Sequence, residues 1–189
     1  GKWHINLPVD KIFDFVKNPK PGMPKDKGSE YNKQLKLWEN ESNQLEDLSD
    51  YMPIGYNRPI NENDNSWRPD DSIFGGFWEG GKHWSEVIKD DAIEFINDSQ
   101  NFQNPFFMYL AFNAPHDPRQ APKKFLNLYP IEKISIPVNY SPVHPYMYEI
   151  GNGPGLRDEA LAPYPRSKYS VKKHIQEYYA IISHLDEQV

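Results

Sequence analysis

The strongest constraint on the fold of this chain is the stretch 106–112, where seven apolar residues follow one another without interruption. A strand that is apolar at every position is typical of a parallel sheet covered by helices on both faces. An amphipathic helix is predicted just before it, over residues 85–98. Its predicted apolar face carries Ile88, Ala92, Phe95 and Ile96. The order helix, short loop, buried strand predicts an α/β domain with a mostly parallel sheet flanked by helices.

A histidine follows this predicted strand almost at once. His116 lies between Pro115 and Pro118 in the segment Asn-Ala-Pro-His-Asp-Pro. Ligands of open parallel sheets bind at the carboxyl ends of the strands, and proline restricts the backbone around it. The pattern places an imidazole in a stiff turn at a crevice, where it could bind an anion or transfer a proton. A surface histidine in a proline turn is the alternative that this reasoning leaves open.

The first four residues, Gly-Lys-Trp-His, hold a second pair of candidate groups. Lys2 and His4 are two positions apart, so they project to the same side of an extended segment. Together with His116 they would offer cationic or hydrogen-bonding groups to a compact anion. A Lys-x-His triplet is common by chance, so this motif carries little weight alone.

The region from residue 17 to 83 is rich in Pro, Gly, Asn and Asp and has weak apolar periodicity. We interpret it as a loop-rich insert that shapes a binding pocket, because ordered loops of this length are usually functional. A helix over 32–48 is one possible element within it. Before the insert, residues 9–16 predict a short helix that follows Pro8.

The end of the chain predicts a long helix with Ser170 as its N-cap, and a helical turn is predicted over 123–129. One apolar stripe on the long helix steps by three and four residues: Val171, Ile175, Tyr178, Ile182, Leu185 and Val189. The stripe still continues at the last residue, and Gly-Lys-Trp-His is an unusual start. We therefore expect residues 1–189 to be the central portion of a single domain.

Composition excludes several classes of function. A net charge of −6 disfavours broad contact with nucleic-acid backbones. The longest apolar run is far shorter than the roughly 20 residues of a membrane-spanning helix. Cysteine is absent from the sequence, which excludes disulfides, thiolate metal sites and a cysteine nucleophile within these residues. Many aromatic residues and prolines suit structured loops that present flat rings, a common way to contact carbohydrate, and ordinary loop packing is the alternative role for any single ring.

Two other patterns are rejected as functional motifs. Residues 76–83, GFWEGGKH, fit a phosphate-binding loop only in part, because His83 stands where Ser or Thr is needed. The bulky Phe77 and Trp78 would also obstruct such a loop. Three other histidines show no metal-ligand spacing, and the last two are expected to be solvated: His144, His174 and His184.

Three segments together resemble the formylglycine-dependent sulfatases of the alkaline-phosphatase superfamily. "GKWH" is similar to a signature of the family, and "PFFMYLAFNAPHDP" is similar to its strand and Pro-His-x-Pro turn. "EYYAIISHLDEQV" resembles the helix that leads to a metal-binding segment. The three occur in the family's order across most of the chain. "GLRDEALAPYPR" is similar to bacterial members that act on carbohydrate sulfates.

The resemblance implies an alkaline-phosphatase-like α/β fold and hydrolysis of a sulfate ester, with a sulfated saccharide as the substrate. In the family, the hydrate of a formylglycine attacks sulfur while Ca²⁺ holds the sulfate. Carried over, Lys2 would bind a sulfate oxygen, and His4 would contact the formylglycine and act as base when the sulfated intermediate collapses. His116 would bind sulfate and assist the leaving alcohol. The family likeness also implies a periplasmic or extracellular location.

This sequence departs from the family pattern at several points. The nucleophile motif Cys/Ser-x-Pro-x-Arg and the acidic metal ligands are absent, and Ile5-Asn6 replaces the usual Leu-Gly. We therefore expect the formylglycine and the Ca²⁺ ligands outside these 189 residues, no metal ligand within them, and no hydrolysis by them alone. Two alternatives stay open, a phosphodiesterase or phosphonate hydrolase of the same superfamily and an inactive remnant that binds sulfated glycans. Basic residues that could focus positive charge on a polyanion are Lys2, Lys82, Arg119, Lys123 and Lys124.

Overall fold

The structure, a computed structural model, describes residues 5–17, 59, 61–65, 68–74, 76–151 and 165–189. Within these ranges the α-helices are α1 (Trp84–Ser99), α2 (Lys123–Leu126) and α3 (Lys168–Gln188). The strands β1 (Trp78–Glu79) and β2 (Lys82–His83) pair in an antiparallel hairpin. Short 3₁₀ helices span Val9–Lys11, Ser72–Phe74 and Ile131–Lys133. None of the helices in these ranges is long and apolar enough to cross a membrane.

The hairpin is built around two glycines. Gly80 and Gly81 have φ values of +60° and +80°, which a two-residue turn of type I′ requires and which glycine adopts without a steric penalty. Phe77, which precedes β1, is fully buried. Residues 76–83 therefore form a hairpin, and the rejection of a phosphate-binding loop is confirmed.

Helix α1 confirms the predicted helix over 85–98 and begins one residue earlier. His83 is its N-cap, because its Nδ1 accepts a hydrogen bond from the Ser85 backbone N–H at 3.2 Å. Ala92 is buried and Ile88 packs against the core, as the periodicity predicts. Ile96, on the last turns of the helix, is exposed instead.

Helix α3 confirms the predicted terminal helix, but its cap and its buried face differ from the prediction. Ser167 caps it, since its Oγ accepts a hydrogen bond from the Ser170 backbone N–H at 3.0 Å. The predicted apolar stripe is wrong as the packed face, because Tyr178, Ile182 and Val189 are exposed. The residues that are buried lie mostly one position earlier in the helix: Ser170, Gln176, Glu177, Ala180, Ile181, His184 and Gln188.

The predicted buried strand over 106–112 is not formed within the described residues, where the hairpin is the sheet that is present. Phe107 has an exposed fraction of 76%. Phe107 and Tyr109 stack on Phe13 with ring centroids 6.4 and 6.3 Å away. A strand that is apolar throughout needs sheet neighbours and helices on both faces to bury it. The described part of the chain supplies no such neighbour, so its fold shows α-helices and a small antiparallel sheet.

Two short helical segments are observed where the sequence predicts longer ones. The helix expected over 9–16 is a 3₁₀ helix at Val9–Lys11, because so short a helix needs tertiary packing and Ile12 remains exposed. The turn expected over 123–129 is the helix Lys123–Leu126. The possible helix at 32–48 lies outside the described residues, as does most of the insert over 17–83.

One hydrophobic cluster joins the hairpin, the helices and the segment that carries His116. Ala114 and Ala121, which flank that segment, are both buried in it. The core therefore anchors the chain on each side of His116. Its buried members are Phe77, Trp84, Ala114, Ala121, Phe125, Leu126, Ala180 and Ile181.

Candidate active site

His116 lies in a closed turn, as the sequence predicts. Its backbone N–H donates to the Asn113 carbonyl oxygen at 3.1 Å. The peptide bonds before Pro115 and before Pro118 are both cis. The imidazole is 35% exposed, so the turn presents a half-buried ring to solvent.

Asp117 sets the tautomer of His116. His116 Nδ1 lies 2.8 Å from the Asp117 carbonyl oxygen and 3.1 Å from its carboxylate Oδ1. Both oxygens accept hydrogen bonds at any pH where the carboxylate is ionised, so Nδ1 carries the hydrogen. Nε2 is then an acceptor in the neutral ring and a donor in the protonated ring. The arrangement can bind an anion through Nε2 or move a proton at that atom.

The other two predicted site residues, Lys2 and His4, lie outside the described residues. Two of the predicted basic residues form ion pairs at the surface. Lys82 pairs with Asp90 on α1, and Lys124 pairs with Glu187 on α3. The structure thus directs these two cations to surface ion pairs rather than to an anion site.

Arg119, three residues after His116, also has a neighbour on α3. Its Nη2 lies 2.8 Å from His174 Nδ1. Because guanidinium nitrogens only donate, His174 Nδ1 accepts and is unprotonated in this contact. The expectation that His174 is solvated is therefore only partly right, since the ring is half-buried and hydrogen-bonded.

The structure contradicts the expectation that His184 is solvated. Its ring is 1% exposed, and its Nε2 donates to Glu86 Oε1 at 3.2 Å. The His83 ring is also fully buried, with its centroid 4.3 Å from that of His184. Burial lowers the pKa of His83 to about 3, and burial also lowers the pKa of His184 below its ordinary value. These are packed, neutral histidines rather than ligands.

The described residues do not form a metal centre. No group of three His, Cys, Asp or Glu side chains among them is placed to hold a metal ion. Ca²⁺ prefers six to eight oxygen ligands, several of them carboxylates. This part of the chain therefore does not fit the Ca²⁺ site that the sequence resemblance implies.

An open groove of 480 Å³ lies between the 128–138 segment and α3, where Ile175 and Tyr179 line it. His116, the predicted site residue that the structure describes, does not line this groove. Its walls are mostly apolar side chains and proline. We therefore assign it no part in the chemistry of His116.

Sequence reasoning missed two residues that hold the His116 turn. Asp117 could have been found, since an acid beside a candidate catalytic histidine often orients the ring. Gln120 is fully buried and bonds to the hairpin, 43 residues earlier in the chain. No local pattern distinguishes such a glutamine from one in a solvated loop.

Comparison with known proteins identifies the family. The family model described as Sulfatase matches residues 29–189. The chain belongs to the sulfatase family. The matched range contains the His116 turn and helices α1 to α3, and it begins after Lys2 and His4.

This sulfatase chain is similar to several curated proteins. A sulfatase of Formosa agariphila is 32% identical over 48% of the chain and 18% of the relative. Iduronate 2-sulfatases of mouse and human are 31% and 29% identical, each over 53% of the chain and 20% of the relative. The chain thus spans about a fifth of the length of the curated relatives it matches. No solved structure matches it significantly.

Proposed function

We propose that the sulfatase to which this chain belongs hydrolyses sulfate esters of carbohydrates, and that His116 acts in its active site. The observation that carries the proposal is the His116 turn, which lies within the range matched by the family. There Asp117 fixes Nδ1 as the protonated nitrogen and leaves Nε2 for a substrate. A half-exposed, oriented imidazole suits both anion binding and proton transfer.

In this proposal His116 acts at two points of the reaction. Protonated Nε2 donates a hydrogen bond to a sulfate oxygen and so stabilises the charge that develops there. The same proton is available to the oxygen of the departing alcohol when the sulfur–oxygen bond breaks. Asp117 keeps the ring in the required orientation through Nδ1.

The remaining parts of the site are proposed from the family likeness. Lys2 would bind a second sulfate oxygen, and His4 would act as base toward the formylglycine. Formylglycine would supply the nucleophile, and Ca²⁺ would offset the charge of the sulfate. Because the described residues do not fit a Ca²⁺ site, we expect its ligands elsewhere in the protein. We likewise propose that residues 106–112 pair in a mostly parallel sheet of the complete fold.

The substrate class rests on the relatives. Two of them are named iduronate 2-sulfatases, which supports a sulfated sugar as the substrate of this protein. We also propose that it works in the periplasm or outside the cell. Fractionation of the source cells tests the location, and recovery of the protein with cytoplasmic enzymes would contradict it.

The test is an assay of the full-length protein that carries this chain, produced with formylglycine conversion. Its turnover is measured on an aryl sulfate, on sulfated disaccharides and on the matching phosphate esters. His116→Ala should lower kcat by roughly 100-fold or more, as expected for loss of an acid–base group. His144→Ala is the matched control, because His144 also adjoins a proline but is exposed in another turn. It should leave kcat within about twofold of wild type.

The outcomes separate the candidate functions. Turnover of sulfate esters that depends on His116 supports the proposal. Turnover of phosphate esters alone points to a phosphodiesterase or phosphonate hydrolase. Binding of sulfated glycans without turnover, unchanged in a Lys2→Ala and His116→Ala double variant, points to an inactive binding protein. Full sulfatase activity in His116→Ala would remove His116 from the site.

A further inference from the structure

The segment that carries His116 is held from one side by Gln120. The Gln120 side chain is fully buried, and its Oε1 accepts a hydrogen bond from the Phe77 backbone N–H at 2.7 Å. Its own carbonyl oxygen lies 3.0 Å from His83 Nε2. Its backbone N–H donates to the Pro118 carbonyl oxygen at 3.0 Å. Gln120 therefore joins the His116 turn to the hairpin through both its side chain and its backbone.

His83 can make its bond to Gln120 in only one tautomer. Its Nδ1 accepts from the Ser85 N–H at the start of α1, so the hydrogen lies on Nε2 and is donated to Gln120. The ring stacks on Phe77 with centroids 5.0 Å apart. Burial lowers the pKa of His83 to about 3, so the ring is neutral at neutral pH and its two hydrogen bonds fix the tautomer. One ring thus connects α1, the hairpin and the His116 segment.

Gly76 allows the hairpin and the turn to approach this closely. A Cβ at this position would lie 2.3 Å from Gln120 Oε1 and 2.8 Å from Pro118 Cγ. Its φ of +64° also falls in the left-handed region. Glycine at position 76 therefore allows the hairpin to contact Pro118, which lies two residues after His116.

We propose that Gln120 is a positioning residue for His116, which holds the turn 115–118 against the hairpin with His83 as its second support. The proposal deepens the function proposed above and rests on it. Gln120 acts through His116 and not on the substrate, because its side chain is buried and directed to Phe77. Small displacements of a catalytic group can cost large factors in rate.

The test compares isosteric variants in the full-length protein. Gln120→Met removes the acceptor oxygen and should lower kcat by roughly 10- to 100-fold with KM within about twofold. Gln120→Glu keeps an acceptor for the Phe77 N–H and should restore most of the loss. Gln176→Met is the matched control, because Gln176 is also buried and donates to the Tyr129 carbonyl oxygen at 2.8 Å. It should lower stability but leave kcat per folded molecule unchanged.

A double variant separates positioning from a general effect on folding. In a His116→Ala background, Gln120→Met should lower kcat little further, because the group that it positions is gone. An equal loss in both backgrounds, or equal losses of kcat in Gln120→Met and Gln176→Met, would overturn the proposal. If Gln120→Met does not fold, His83→Asn takes its place, since asparagine can still cap α1 but loses the bond to Gln120. It should lower kcat in the same way.

The activity of the wild-type protein distinguishes a failure of the proposed function from a failure of the Gln120 inference. A wild type that turns over no sulfate ester overturns the proposed function and this inference with it. A wild type that is active while the Gln120 and His83 variants keep normal kcat leaves the function standing and overturns the inference alone.

Discussion

His83 and His184 meet edge to face in the core with ring centroids 4.3 Å apart, although they lie on β2 and α3. His184 also donates a hydrogen bond to Glu86. From the surface, Glu187 favours protonation of His184 and Lys124 opposes it. Burial dominates, and it lowers the pKa of both histidines. The pair is therefore neutral and joins β2 to α3 without a buried charge.

The first prediction concerns stability and pH. Unfolding returns His83 to an ordinary pKa of 6.5, whereas in the folded protein its pKa is about 3. Between these two pH values the unfolded chain binds more protons than the folded protein, so the free energy of unfolding falls as the pH drops from about 6.5 toward 3. Above about pH 6.5 this contribution is constant. At about pH 5 the loss from His83 alone is about 2 kcal/mol, and His184 adds to it in the same direction. Urea unfolding at several pH values measures it.

Variants test whether the buried histidine pair causes this loss of stability in acid. His83→Asn should lower stability at neutral pH but flatten its decline in acid, because one titrating group is gone. His144→Asn, at an exposed position, should leave the slope as in wild type. An unchanged acid slope in His83→Asn would show that other groups cause it.

The second prediction concerns the start of α3. Ser167→Ala removes the oxygen that accepts from the Ser170 N–H and should cost about 1 kcal/mol of stability. Ser170→Ala is the matched variant, because its buried Oγ has no hydrogen-bond partner among the described residues. Loss of an unsatisfied hydroxyl should be neutral or slightly stabilising. Thermal unfolding shows which of the two variants loses more stability. A larger loss for Ser170→Ala would contradict the assignment of Ser167 as the N-cap.

The third prediction compares two glycines with similar backbone conformation. Gly76→Ala should cost more than about 3 kcal/mol, because its Cβ would overlap Gln120 and Pro118. Gly80→Ala meets open space, so only the left-handed backbone penalty of about 1–2 kcal/mol remains. Chemical unfolding gives the two values. Equal losses would mean that the hairpin does not press on the His116 segment.

The fourth prediction concerns Asp117. Asp117→Leu removes the carboxylate that lies 3.1 Å from His116 Nδ1 and should lower kcat roughly 3- to 10-fold, since the backbone carbonyl still holds the ring. Asp117→Asn keeps an acceptor oxygen and should lose less. The measurement is kcat on an aryl sulfate in the full-length protein. A loss as large as that of His116→Ala would give Asp117 a direct part in the reaction.

Local sequence patterns predicted the elements that depend on local forces. Helices α1 and α3 follow from apolar periodicity, and the turn at His116 follows from its prolines. The resemblance to sulfatases is confirmed by the family match over residues 29–189, which contains two of the three segments that carry the resemblance. The prediction that residues 106–112 form a buried strand was wrong for the described residues, because these bring no sheet neighbour to the segment.

By itself, then, the sequence determined the two long helices, the turn at His116 and the family, because periodicity and prolines act over a few residues. Only the tertiary structure decided that α3 buries His184 and Ile181 rather than Ile182 and Tyr178. It also decided that Gln120 bonds to Phe77. Those choices depend on partners brought from distant parts of the chain, because most buried polar groups in folded proteins need a hydrogen-bond partner.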